Sequence, residues 1–247
     1  MLEFSVRTHR GRVREKNQDC YFVPPDDPVR LFAVADGMGG HAAGEVASSL
    51  SIQAIQDQVA PVRHTWKNFD RARLEAFLHA SFLDANERIL QAQKENIELE
   101  GMGTTLTVAA LIEGELLVGH VGDSQAHLFR GGEHQQITED HSLVMELLKN
   151  GEIKQDELHT HPQRHMLTRA LGTPSPLQVD FYHAPLLSDD MILLCTDGLT
   201  SMLTLETIQQ IIFSATTLED KVQALVTEAN NNGGLDNITV LLIRVIQ

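Results

Sequence analysis

Thr105-Leu106-Thr107-Val108-Ala109-Ala110-Leu111-Ile112-Glu113-Gly114-Glu115-Leu116-Leu117-Val118-Gly119-His120-Val121-Gly122-Asp123 is the stretch that decides the fold. Thr105–Ile112 and Glu115–Val121 are apolar runs separated by Glu113-Gly114 alone. A connection that short is a hairpin turn, so the runs lie antiparallel. The pattern repeats just downstream, where Ala126–Phe129 and Gln135–Ile137 flank Gly131-Gly132. Upstream, Leu2–Thr8, Cys20–Val23 and Val29–Ala35 also read as strands, with Pro24-Pro25-Asp26-Asp27-Pro28 as the loop between the last two.

Two helices separate these β-blocks. The first runs roughly over Ala43–Val59, with Val46, Leu50 and Ala54 on one face. The second carries Leu74, Leu78, Phe82, Ala85, Ile89 and Ala92 at steps of four and three, a core-facing stripe. After the hairpins comes a short helix, Ser142–Lys149, closed by Asn150-Gly151. The polar, His-rich stretch up to about Arg169 reads as an insertion with short helices of its own. Strands resume at Gln178–Tyr182 and Met191–Cys195. Helices follow near Leu205–Phe213 and Leu218–Asn230, the latter with Thr217 and Asp220 as a cap and Asn232-Gly233-Gly234 as a stop. The last strand is Ile238–Val245. Strands and helices in blocks predict an α+β fold: a four-layer α-β-β-α sandwich of two antiparallel sheets with helix pairs outside. A doubly wound parallel sheet would alternate more strictly.

The chain has 247 residues, 42% of them hydrophobic, and a formal charge of −15. That suits a globular protein of one large domain or two small ones and disfavours nucleic acid or an anionic membrane as a partner. Part of the acidic excess is of the kind that bound cations neutralise. Two cysteines, Cys20 and Cys195, fit a reducing compartment. The N-terminus lacks an apolar signal core, no run approaches a membrane span, and a cytoplasmic location is expected. No oligomer interface is visible, so a monomer is expected.

Several strand-like runs end on an aspartate beside a glycine. Leu31–Ala35 leads into Asp36-Gly37, Leu116–Val121 into Gly122-Asp123, and Met191–Thr196 into Asp197-Gly198. Gly233-Gly234-Leu235-Asp236-Asn237 precedes the final strand. Carboxylates aimed at one point repel unless a cation sits between them, and hard divalent cations prefer such oxygen ligands. Any one Asp-Gly pair is ordinary turn chemistry. The ordered set, with Arg14-Glu15-Lys16-Asn17-Gln18-Asp19, is far more specific.

Together these motifs resemble the metal-dependent protein Ser/Thr phosphatases of type 2C, in particular the small bacterial members. Met102-Gly103-Thr104-Thr105, Thr138-Glu139-Asp140-His141-Ser142, Leu167-Thr168-Arg169-Ala170-Leu171-Gly172 and Asp236-Asn237-Ile238-Thr239-Val240 extend the likeness over essentially the whole chain. The resemblance implies a single catalytic domain over 1–247, with a flap insertion at about 143–169. It implies two Mn²⁺ or Mg²⁺ ions. Asp36 would bridge them, the Gly37 carbonyl would be a ligand, and Asp19, Asp197 and Asp236 would complete the set, partly through water. Asp123 matches the position that helps hold a third, weaker ion. Arg14 matches the arginine that grips the substrate phosphate. A water between the ions would hydrolyse phosphoserine and phosphothreonine directly. Phosphoproteins would be the substrates and a bacterial Ser/Thr kinase the opposing partner.

Three positions depart from the family pattern. Met38 stands where many eukaryotic members carry the histidine proposed as general acid, which leaves His41 or a metal-bound water as a proton source. Gln125 replaces an arginine, and Gln18 an acidic residue. A cysteine phosphatase would need arginine six residues after its cysteine, where this chain has Asp26 and Ser201. His159, His161 and His165 do not make a zinc signature. The resemblance puts them in the flap, where His161 and His165 are candidates for substrate contact. His120 reads as a hydrogen-bonded core histidine. The alternatives are an inactive member serving as a phosphoprotein-binding regulatory module and a phosphohydrolase for small phosphate esters. All five aspartates and Arg14 are present, which speaks against the first.

Overall fold

The computed structural model describes residues 2–24, 29–39, 43–158 and 160–246. The predicted loop at 24–28 beyond Pro24, and Gly40, His41 and His159, lie outside the described residues. In chain order the strands and helices are β1 (Leu2–His9), β2 (Asp19–Phe22), β3 (Leu31–Met38), α1 (Ala43–Val62), α2 (Arg71–Glu95), β4 (Gly103–Thr104), β5 (Leu106–Ile112), β6 (Glu115–Val121), β7 (Gln125–Arg130), β8 (Glu133–Gln136), α3 (Leu143–Lys149), β9 (Asp180–Pro185), β10 (Met191–Cys195), α4 (Asp197–Thr200), α5 (Leu205–Ile212), α6 (Leu218–Asn231) and β11 (Ile238–Val245).

The Glu113-Gly114 hairpin is β5–β6. Glu113 and Gly114 both take positive φ, 50° and 80°, as a two-residue turn between right-twisted strands requires. All strand pairings are antiparallel. One sheet has the order β1-β11-β10-β7-β8 and the other β2-β3-β5-β6-β9, with β4 paired to β3.

Three apolar layers make the sandwich. Phe32, Val34, Ala109 and Val118 of one sheet meet Leu128, Ile192, Leu194 and Leu241 of the other. The outer face of the β3 sheet, through Leu31, Ala33 and Val108, packs on α1 and α2. The outer face of the β10 sheet, through Leu193, Val240 and Leu242, packs on α4, α5 and α6. This is the α-β-β-α order that the blocks predicted. The α2 stripe is buried from Leu74 to Ile89, and Thr217 caps α6 through the Asp220 amide.

The expected face of α1 is rotated. Ala47, Ser51, Ala54 and Ile55 are buried, while Val46 and Leu50 sit at the margin. Small residues face inward because α1 comes very close to β3. A Cβ on Gly37 would lie 2.1 Å from the Gly44 carbonyl oxygen.

Candidate active site

Five aspartates gather at one end of the sandwich, and their positions follow from the strand ladders. β3 runs past its predicted end through Asp36 and Gly37 to Met38, because β2 and β4 pair with it there. Asp19 opens β2 directly opposite Asp36. Like charges facing each other across a ladder are unfavourable. Asp197 follows β10 as the first residue of α4, Asp236 precedes β11, and Asp123 follows β6.

Two of the Asp-Gly pairs are explained by backbone packing. Gly37 meets Gly44, and a Cβ on Gly198 would stand 1.9 Å from the Asn237 carbonyl oxygen. The glycines therefore make room for protein backbone.

Threonines and an asparagine, whose motifs were legible but whose roles were not, hold the acids. Thr196 Oγ1 and Thr239 Oγ1 both donate to Asp19 Oδ2, at 2.9 and 2.6 Å. The Asp36 amide donates to Thr105 Oγ1 at 2.9 Å. Asn237 accepts from the Gln18 amide and donates to the Arg10 and Lys16 carbonyls, which ties the Arg14 loop to the start of β11.

The electrostatics are those of crowded acids. Burial, offset in part by the two threonine bonds, pushes Asp19 up to about 7. Asp36 and Asp123 are held well above the ordinary carboxylate range, first by burial and then by neighbouring aspartates. Asp197 is raised by burial and by Asp236. Among the described residues, Asp19 Oδ1 and Asp197 Oδ1 are buried without a hydrogen-bond partner. Orphaned carboxylate oxygens beside mutually repelling acids fit a divalent cation. Among the described residues no three carboxylate or imidazole groups form a closed cage by themselves. A backbone carbonyl and waters would have to complete the shell, as is usual for Mg²⁺.

Arg14 reaches this rim and donates to Asp236 Oδ2 at 2.7 Å. The cleft around it encloses about 590 Å³ and is also lined by Asp36, Gly37, Met38, Asp123 and Asp197. Three flap residues enter it, Arg164, His165 and Leu167. His165 Nδ1 lies 4.0 Å from Asp197 Oδ2. Arg164 was not singled out by the sequence, although its place beside His165 was a usable signal. His161 does not line the cleft; its Nδ1 accepts from the Gln163 amide within the flap. Gln125, the substituted arginine position, donates to both oxygens of Asp140.

His120 is fully buried between Thr107 Oγ1 and the Glu139 carbonyl. Beside it, His141 joins the flap to the Asp123 loop. Its Nδ1 accepts from the Gly122 amide at 3.1 Å, and its amide donates to the Gly122 carbonyl. Its Nε2 lies 3.0 Å from Asp180, which also accepts from Arg169. The flap closes on the same residue: the Thr168 amide donates to the His141 carbonyl, and Ser142 bridges Leu167.

Comparison with known proteins agrees with this geometry. The family model described as protein phosphatase 2C matches residues 7–232. The chain belongs to the protein phosphatase 2C family. "Protein phosphatase PhpP" of Streptococcus pneumoniae is 40% identical over 243 residues, covering 98% of this chain and 97% of that protein. "Serine/threonine phosphatase stp" of Listeria monocytogenes is 38% identical over 247 residues, covering 98% and 95%. The crystal structure of the catalytic domain of the serine threonine protein phosphatase PstP with two manganese ions superposes with a TM-score of 0.87 at 34% identity, covering 100% of this chain and 99% of that one. The family assignment makes this chain a hydrolase, a 2C-type serine/threonine protein phosphatase.

Proposed function

We propose that this 2C phosphatase hydrolyses phosphoserine and phosphothreonine in proteins, with two Mn²⁺ or Mg²⁺ ions at the aspartate cluster. The observation that carries the reading is the facing of Asp19 and Asp36 across the β2–β3 ladder, with unpaired oxygens on Asp19 and Asp197. Asp36 and the Gly37 carbonyl would hold the ions, and Asp19, Asp197 and Asp236 would complete the set directly or through water. Asp123 is assigned to a third, weaker ion. When bound, the ions supply the positive charge that acidifies a water and offsets charge on the phosphoryl oxygens.

The chain's own residues do the rest. Thr196 and Thr239 fix the Asp19 carboxylate, so its free oxygen points one way. Arg14 offers a planar fork that suits two phosphate oxygens at once. Its bond to Asp236 holds that fork at the rim before substrate arrives. Met38 brings no proton, so the leaving seryl or threonyl oxygen takes its proton from elsewhere. The whole chain, 1–247, acts as one catalytic domain with residues 143–169 as a flap beside the cleft. Similarity to bacterial phosphatases supports a role against a Ser/Thr kinase, and the cysteine-poor composition supports a cytoplasmic setting.

The test is phosphate release from a phosphothreonine peptide with Mn²⁺, with and without chelator. Metal-dependent release is expected, and its absence would sink the reading. Arg14→Ala is expected to raise KM by about tenfold or more with a smaller loss in kcat, as removal of a charge-assisted phosphate contact should.

A further inference from the structure

A second chamber, of about 540 Å³, opens beside the catalytic cleft between the flap and α5. Asp123, Arg164, His165 and Asp197 line both cavities, so they share a wall. Beyond that wall the character changes. Val144, Met145 and Leu158 come from the flap, and Leu203, Leu205 and Ile208 from α5 and its approach. Leu205 is 44% exposed although it is a large apolar side chain. On the sheet side His127 Nδ1 lies 2.8 Å from His134 Nε2. His127 Nε2 is buried and has no partner among the described residues. The proposed chemistry uses none of these apolar residues or imidazoles.

We propose that this chamber is a specificity subsite for an apolar side chain of the phosphoprotein, a few residues along the chain from the phosphorylated one. The proposal rests on the phosphoprotein reading of the cleft. A phosphate held at Arg14 and the aspartates places the flanking chain against the shared wall. Two or three residues of extended chain reach about 7–10 Å further, the scale of a neighbouring chamber. An apolar guest removes Leu205 and Met145 from water. An acidic guest would have to pass Asp123, Asp140 and Asp197, which all face the chamber. The volume is that of a ligand pocket, and its apolar residues sit among polar ones.

The test compares kcat/KM for phosphothreonine peptides with Gly, Leu, Lys or Glu at each of three positions on either side of the phosphoresidue. At one position or more, the Leu peptide should exceed the Gly peptide by about tenfold, the usual worth of an aliphatic group in an apolar pocket. Leu205→Glu puts a carboxylate in the first turn of α5, where the helix dipole tolerates it. Met145→Glu puts one on the opposite wall. In either variant the Leu-to-Gly ratio should fall to about one, and Lys should become the preferred residue. Equal rates for Leu and Gly peptides at every position, or parallel losses on both peptides in the variants, would overturn the subsite. No Mn²⁺-dependent release from any peptide by the unmodified protein would instead overturn the phosphoprotein reading beneath it.

Discussion

The sheet ends and the flap border the same cleft and are built in opposite ways. Each aspartate sits on a strand or next to one, and the hydroxyls that fix Asp19 are remote in sequence. Asp19 is held by Thr196 and Thr239, more than 170 positions away. The flap holds itself mostly by near neighbours. The Lys154 amide bonds Glu157, the Thr160 hydroxyl bonds the Glu157 carbonyl, and the Gln163 amide bonds His161. Its own helix, α3, has seven residues. Long-range backbone order suits chemistry that needs fixed geometry, while a locally held segment suits recognition of varied chains.

The hardest blow to that contrast would come from Asp36. Asp36→Asn should lower kcat on the order of 10³-fold, as loss of one central electrostatic contact does. It should also raise the melting temperature of the metal-free protein by about 2–4 °C, because one of two facing carboxylates is gone. Steady-state kinetics and calorimetry without metal would check both. Retained turnover would show that the sheet-end acids are scaffolding, no different in kind from the flap.

The next effect concerns the one place where the two regions are joined. His141→Ala strands the Gly122 amide and breaks the contact to Asp180, so stability should fall by about 1–3 kcal/mol. Urea unfolding measures that. Limited proteolysis within residues 143–168 should also quicken, since the flap stem closes on His141. An unchanged cleavage rate would mean that the flap moves independently of the Asp123 loop.

The same division decided what could be read from the sequence. Period-two apolar runs and the Glu113-Gly114 turn are local signals, and they delivered the hairpins and, by block order, the layers. The stripe from Leu74 to Ile89 was equally local. The inward face of α1 was misread because Val46 and Leu50 outweigh Ala47 and Ser51 in hydrophobicity, whereas close approach to Gly37 selects the small residues. The aspartates were legible as a set through their motifs. Their pairing was not: that Asp19 faces Asp36 depends on ladder register, and that Thr196 and Thr239 share one carboxylate oxygen depends on tertiary contact. In the flap there was little periodicity to read, so Arg164 was passed over.

A smaller effect concerns a buried imidazole below the flap. Burial, with His134 beside it, pushes His127 down to about 3. A histidine whose pKa is lower in the folded state contributes stability above its unfolded value near 6.5, and that stability is lost as pH falls toward 3. Comparing the protein with a His127→Gln variant cancels the aspartates common to both. The parent should lose about 1.4 kcal/mol more per pH unit between about pH 6 and 4. Parallel pH profiles would mean that His127 takes up a proton without unfolding and that this wall is open to water.

The two flap histidines sharpen the comparison most finely. Both belong to the same sequence run and looked alike as candidates for substrate contact. His165 lines the cleft and stands 4.0 Å from Asp197. His161 is turned into a local bond with Gln163. His165→Ala should therefore raise KM for a phosphothreonine peptide severalfold, up to about tenfold, because it removes a polar contact at the rim of the site. His161→Ala should change KM by less than about twofold, and stability by about 0.5 kcal/mol or less, as expected for a half-buried surface position with local bonds. Kinetics of the two variants side by side decide the matter. Equal effects would mean that the flap meets substrate as a loose polar surface. Unequal effects in this order would mean that even the locally held region presents particular side chains, and that its contact with the sheet ends runs through the Arg164–His165 wall.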